Sequence, residues 1–149
     1  MRRIASLLSF LAITILVGQA MAGQDDGRPF RLNDGQVKEL LKRLDSNAER
    51  FRKSLHSALE HSSFDDTNAE DRINDFVKEF ANATDRLKDH FSKKNSASSD
   101  AEEVLRRAER IDAFMHRHDL TNHAQDDWSR LRRNLDELAA AYSVSWKWA

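Results

Sequence analysis

Residues 37–59 read VKELLKRLDSNAERFRKSLHSAL, and the spacing of their apolar residues decides the fold. Val37, Leu41, Leu44, Ala48, Phe51, Leu55 and Ala58 recur at alternating steps of four and three, with Leu40 and Leu59 widening the stripe. A helix with that spacing keeps one face apolar along its whole length, whereas a half-buried strand alternates at every second residue. Such a stripe must be covered by neighbouring elements.

Three further segments repeat the pattern. One carries Ile73, Phe76, Phe80, Ala83, Leu87 and Phe91. A shorter one carries Ala101, Val104, Ala108, Ile111 and Met115, flanked by Leu105 and Phe114. The last carries Trp128, Leu131, Leu135, Leu138 and Tyr142, and Trp146 extends its spacing into a match with the second segment. Start signals agree: Asn33 with Gln36, Thr67 with Glu70, Ser99 with Glu102 and Asn122 with Gln125 each have the spacing of a capping box. Leu32 and Val37 occupy the two positions of a hydrophobic staple. The connections at 60–66, 92–98 and 119–121 are short, which favours antiparallel neighbours. The expected fold is all-α: an antiparallel up-down-up-down four-helix bundle over residues 33–143, with an aromatic tail at 144–149.

Composition supports this and removes other classes. With 4 Gly and 1 Pro the chain has few residues for the tight turns of a β-sandwich or barrel. No cysteine is present, so disulfides, thiolate metal sites and a cysteine nucleophile are excluded. The 24 basic and 25 acidic residues nearly cancel, which argues against general nucleic-acid affinity.

The start of the chain reads as an address. Arg2 and Arg3 precede an apolar run from Ile4 to Val17, and Ala20-Met21-Ala22 offers the small-x-small pattern of a signal-peptidase site. The run is shorter than the roughly 20 residues that span a bilayer. Residues 1–22 are therefore expected to be a signal peptide cleaved between Ala22 and Gly23, followed by a polar leader at 23–32. Export to a bacterial periplasm or medium follows, with no stable membrane insertion after cleavage.

No catalytic spacing stands out. The Glu-x-x-His pairs of a di-iron bundle, the His-Glu-x-x-His of zinc peptidases, a phosphate-binding glycine loop and a Gly-x-Ser-x-Gly elbow are all missing. The chain is expected to be no enzyme and to carry no cofactor. Two features invite a binding role. An up-down-up-down bundle gathers His56, His61, His116, His118 and His123 at one end, where imidazoles with Glu60, Asp65, Asp66 and Asp119 suit Zn²⁺, Cu²⁺ or Ni²⁺. His56, His61, His118 and His123 are the metal candidates, against the plainer reading that polar helix ends collect histidines. The second feature is Trp146 and Trp148, which either fold back to plug the bundle end or form an aromatic anchor for a protein partner. Charge asymmetry adds self-association as an expectation. Residues 36–61 set Lys38, Lys42, Arg43, Arg50, Arg52 and Lys53 against Glu39, Asp45, Glu49 and Glu60, whereas residues 100–119 carry an acidic excess.

Two family resemblances bear on this. Arg110-Ile111-Asp112-Ala113-Phe114-Met115, with Asp127-Trp128, Leu135-Asp136-Glu137-Leu138-Ala139 and Tyr142-Ser143-Val144-Ser145-Trp146, resembles an uncharacterised family of secreted bacterial proteins from soil lineages. That resemblance implies an exported helical domain and supplies no activity or site. Leu32-Asn33-Asp34-Gly35-Gln36 is similar to the Leu-Thr-x-x-Gln motif of the periplasmic Spy/CpxP-like chaperone family, with Asn33 in place of the Thr. In the second occurrence, at Leu120-Thr121, the Gln comes one residue late as Gln125. This similarity implies a helical cradle that holds clients on a concave, basic surface. The functional expectation is an exported bundle acting through protein contacts, with a chaperone-like binder or a metal-binding protein as alternatives.

Overall fold

The computed structural model describes residues 32–63, 67–95 and 97–148. The leader through residue 31, with the Ala22–Gly23 junction, lies outside the described residues, as do Asp65 and Asp66. Four helices follow in order: α1 (Asp34–Glu60), α2 (Asn68–Ser92), α3 (Ser98–Arg117) and α4 (Asn122–Ala141). The described residues contain no strand, and none of their helices is long and apolar enough to cross a membrane.

Helix α1 begins in a complete capping box. Asn33 Oδ1 accepts from the Gln36 backbone N–H at 3.0 Å, and Gln36 Oε1 accepts from the Asn33 N–H at 2.9 Å. Thr67 Oγ1 caps α2 by accepting from Glu70 N at 3.4 Å. The other two starts differ from expectation. In α3, Ala97 occupies the cap position with no side-chain hydrogen bond, and Ser99 falls inside the helix. Ala97 is itself buried in the core, so packing sets this start in place of a cap. In α4 the cap is Thr121, one residue before Asn122, with Oγ1 accepting from Ala124 N at 3.4 Å. Gln125 instead donates from Nε2 to the Met115 carbonyl at 3.3 Å, tying α4 to the end of α3.

Helices α2 and α4 end alike. Asn95 N–H bonds the His90 carbonyl and Lys94 N–H the Phe91 carbonyl; Val144 and Ser143 do the same to Ala139 and Ala140. Both are Schellman terminations, and the left-handed position that usually holds glycine is taken by Lys94 (φ 55) and Ser143 (φ 56). After Ser143 the chain turns back instead of continuing the heptad spacing, so the match between the second and fourth segments stops at Tyr142.

The apolar stripes meet in one core. Leu40, Leu44, Leu55, Leu59, Ile73, Leu87, Leu105, Ile111, Leu131, Leu135 and Leu138 are fully buried. Each such side chain contributes about 1.5–3 kcal/mol of transfer free energy. The four seams between helices are not equally close: α1 lies tightly along α4 and α2 along α3, while the two pairs meet more loosely. On the α1–α4 seam, Arg43 pairs with Glu137, Asn47 Nδ2 donates to Asn134 Oδ1 at 2.5 Å, and the Phe51 and Trp128 rings sit 5.0 Å apart. On the α2–α3 seam, Glu79 takes Arg107 at 2.6 Å and Arg110 at 3.0 Å, and His90 meets Asp100 at 2.6 Å.

Candidate functional site

The loose α1–α2 seam is where the surface opens. Between Phe51 on α1 and Val77 and Phe80 on α2, its lining carries small or charged side chains: Asp45, Ala48, Glu49 and Arg52 on α1, and Ala81, Thr84 and Asp85 on α2. Three cavities follow one another along it. The first, about 510 Å³, is lined by Lys38, Leu41 and Lys42 from α1 and by Lys88, Phe91 and Lys94 from the end of α2. The second, about 120 Å³, lies between Ala48 and Ala81, and Ile111 of α3 reaches its wall. The third, about 400 Å³, lies among Leu55, His56, Val77, Lys78 and Ala81. Together they form a groove from Lys38 to His56, about 27 Å at the helical rise. Volumes of 300–1,000 Å³ are typical of binding pockets.

The charges of this groove are largely spoken for on the acidic side. Lys88 Nζ bonds Asp45 at 3.0 Å and Asp85 at 3.1 Å. The Asp45 hydrogen bond raises the Lys88 pKa above its ordinary value, with Asp85 adding to it, against an opposing effect of burial. Glu49 receives Arg52 at 2.9 Å, and that hydrogen bond lowers its carboxyl to about 2. Lys42 holds Glu39 at 2.8 Å.

The histidines are not brought together. His56 pairs with Glu60 at 3.3 Å, His61 Nδ1 lies 2.8 Å from the Ser57 carbonyl, and His123 lies 3.6 Å from Asp127. His118 packs against Phe114 with ring centroids 4.3 Å apart and the planes inclined by 46°. Each is held within its own helix or beside it, and among the described residues no three His, Asp or Glu side chains group as metal ligands would.

The Trp tail packs on the bundle. Trp148 Nε1 donates to Asp136 Oδ1 at 2.7 Å, its ring lies under the Arg132 guanidinium at 4.5 Å, and it meets Trp128 edge-on at 6.2 Å. Trp146 contacts Trp148 edge-on at 5.3 Å, and both rings are half-buried. The tail therefore runs back along the outside of α4 and does not plug the bundle end.

Beneath it lies a charged pair of positions that sequence reasoning missed. Asp112 is fully buried; its Oδ1 accepts from Trp128 Nε1 at 2.8 Å and faces Arg132 at 3.4 Å, while His116 stands 3.4 Å from its Oδ2. Asp127 is 1% exposed with Arg130 at 3.5 Å. Cationic or imidazole groups stand near both carboxyls, which offsets part of the cost of burial, while Asp112 Oδ2 and both Asp127 oxygens accept no hydrogen bond among the described residues. Arg132 joins the buried Asp112 to the tail ring of Trp148, so this cluster positions the tail.

No family model matches the chain, and neither the curated proteins nor the solved structures include a significant match to it.

Proposed function

We propose that this chain is an exported, non-enzymatic, antiparallel up-down-up-down bundle that acts by binding another protein in the bacterial envelope or outside it. The observation that carries the reading is the open α1–α2 seam. A groove of this length between two helices, with apolar positions such as Leu41, Val77, Ala81 and Phe91 along it, suits an amphipathic helix laid into it. The reverse order of cross-helix contacts, 43 with 137, then 47 with 134, then 51 with 128, supports the antiparallel arrangement. Basic start, apolar run and Ala20-Met21-Ala22 support the signal peptide and hence export.

Two measurements test this. Mass spectrometry of the exported product should find Gly23 as its first residue; a product beginning at Met1 would refute cleavage. A fluorescent amphipathic helical peptide should bind saturably, and Ala81→Trp, which fills the groove from an exposed position, should abolish binding without lowering the melting temperature. Equal binding to wild type and Ala81→Trp would remove the groove from the account. The basic side chains along the groove also favour a chaperone-like variant of the same reading, in which clients are held transiently; near-stoichiometric suppression of client aggregation, lost in Ala81→Trp, is its signature.

A further inference from the structure

We infer that the partner segment of the α1–α2 groove is acidic: an amphipathic helix of about five turns whose apolar face is flanked by carboxylates at both ends. This rests on the groove-binding reading above and names the chemistry of its partner.

The argument is one of charges left over. The groove is lined by Lys38, Lys42, Lys88 and Lys94 at its head and by Arg52 and Lys78 farther along. Four acidic residues, Asp34, Asp45, Glu49 and Asp85, lie among them. Asp45 and Asp85 are both engaged by Lys88, and Glu49 is engaged by Arg52 and by Lys53 at 3.4 Å. Asp34 sits in the first turn of α1, where the helix dipole favours a negative charge. Lys38, Lys78 and Lys94 have no ion-pair partner among the described residues. The groove thus presents three unpaired ammonium groups, Lys38, Lys78 and Lys94, against one unpaired carboxylate, Asp34, on a chain whose net charge is −1.

Their positions mark the two ends of the groove. Lys38 and Lys94 stand at the same cavity, where Leu41 and Phe91 supply an apolar floor for one large side chain. Lys78 stands at the far cavity beside Leu55 and Val77. Lys94 is held in place by the helix termination that fixes its backbone, so its ammonium group starts from a defined anchor at the groove mouth. Complementary charge of this kind steers encounter and selects between partners more than it adds affinity.

The test uses two labelled synthetic peptides of about 18 residues with the same Leu and Phe face. One carries Glu at the flanking positions and the other Lys, and anisotropy is read with the full mature chain at low and at physiological salt. The Glu peptide is expected to bind at least about tenfold tighter, with the advantage shrinking as salt rises. The triple variant Lys38→Glu, Lys78→Glu, Lys94→Glu should reverse the preference while helical ellipticity stays unchanged, since all three residues are exposed. Equal binding of the two peptides would overturn the acidic-partner inference and leave the groove reading standing. Binding of neither peptide would overturn both, and saturable binding of dodecanoate in that case would assign the head cavity to a small anionic amphiphile.

Discussion

Helix α1 has two neighbours and treats them differently. Toward α4 it presents Leu40, Leu44 and Phe51, with Phe51 packed on Trp128, and two polar pairs cross the join: Arg43 with Glu137 and Asn47 with Asn134. Toward α2 it presents Leu41 and Leu55 among Lys42, Asp45, Ala48, Glu49 and Arg52, and the seam stays open over three cavities. Large apolar side chains draw two helices into close packing, while alanine facing charged residues leaves space that solvent or a ligand must fill. The α1–α4 seam, like the α2–α3 seam, is closely packed, and the α1–α2 seam leaves space along its length.

The contrast can be broken at its strongest point. Trp128→Ala removes a ring packed on Phe51 and the donor to buried Asp112, and should cost about 4 kcal/mol in urea unfolding. Phe91→Ala on the open seam should cost less than about 1 kcal/mol, because that ring is already half exposed. Similar losses at both sites would mean that the seams are energetically alike. Next in size is Asp112→Ala, which strands Trp128 Nε1 and the Arg132 guanidinium and should cost about 2 kcal/mol. A smaller effect of opposite sign is expected from Ser143→Gly, which relieves a left-handed residue and should stabilise the chain by about 1 kcal/mol.

Below these, Ala81→Leu should change stability by less than about 0.5 kcal/mol while weakening peptide binding, read by calorimetry beside the melt. The smallest effect belongs to Glu49. Its folded pKa of about 2 lies below the ordinary 4.5, so the pairing with Arg52 helps the fold above pH 4.5 and is lost as pH falls toward 2. Because the pair is exposed, its influence on global stability is slight. A carbon-13 titration of the Glu49 carboxyl should find the low value, and Arg52→Gln should return it toward 4.5.

The stripes of alternating threes and fours gave all four helices and nearly all of the core, since a continuous apolar face is a direct imprint of burial. Caps were less legible: Asn33 and Thr67 behaved as their neighbours suggest, but the burial of Ala97 overrode Ser99. Asp112 and Asp127 were missed because a charged residue reads as solvent-facing, although both sit in heptad columns. Asp112 follows Ala101, Leu105 and Ala108; Asp127 precedes Leu131, Asn134 and Leu138. The neighbours of Asp127, and His116 beside Asp112, stand three or four residues away on the same helix, a spacing that solvent-facing pairs share; Trp128 and Arg132 reach Asp112 from another helix, which no local pattern encodes. The groove escaped notice for a related reason. Val77 and Ala81 lie one step off the apolar stripe of α2, and only the spacing of α1 from α2 makes them a lining.

The doubled-back tail has an optical consequence. All 3 tryptophans of the chain, Trp128, Trp146 and Trp148, stand in one series of edge-on contacts. Indole emission and near-ultraviolet circular dichroism therefore report how residues 144–148 lie on α4, whereas far-ultraviolet ellipticity reports the helices. Wherever the two signals part company during heating or titration, the tail has lifted from a bundle that is still folded.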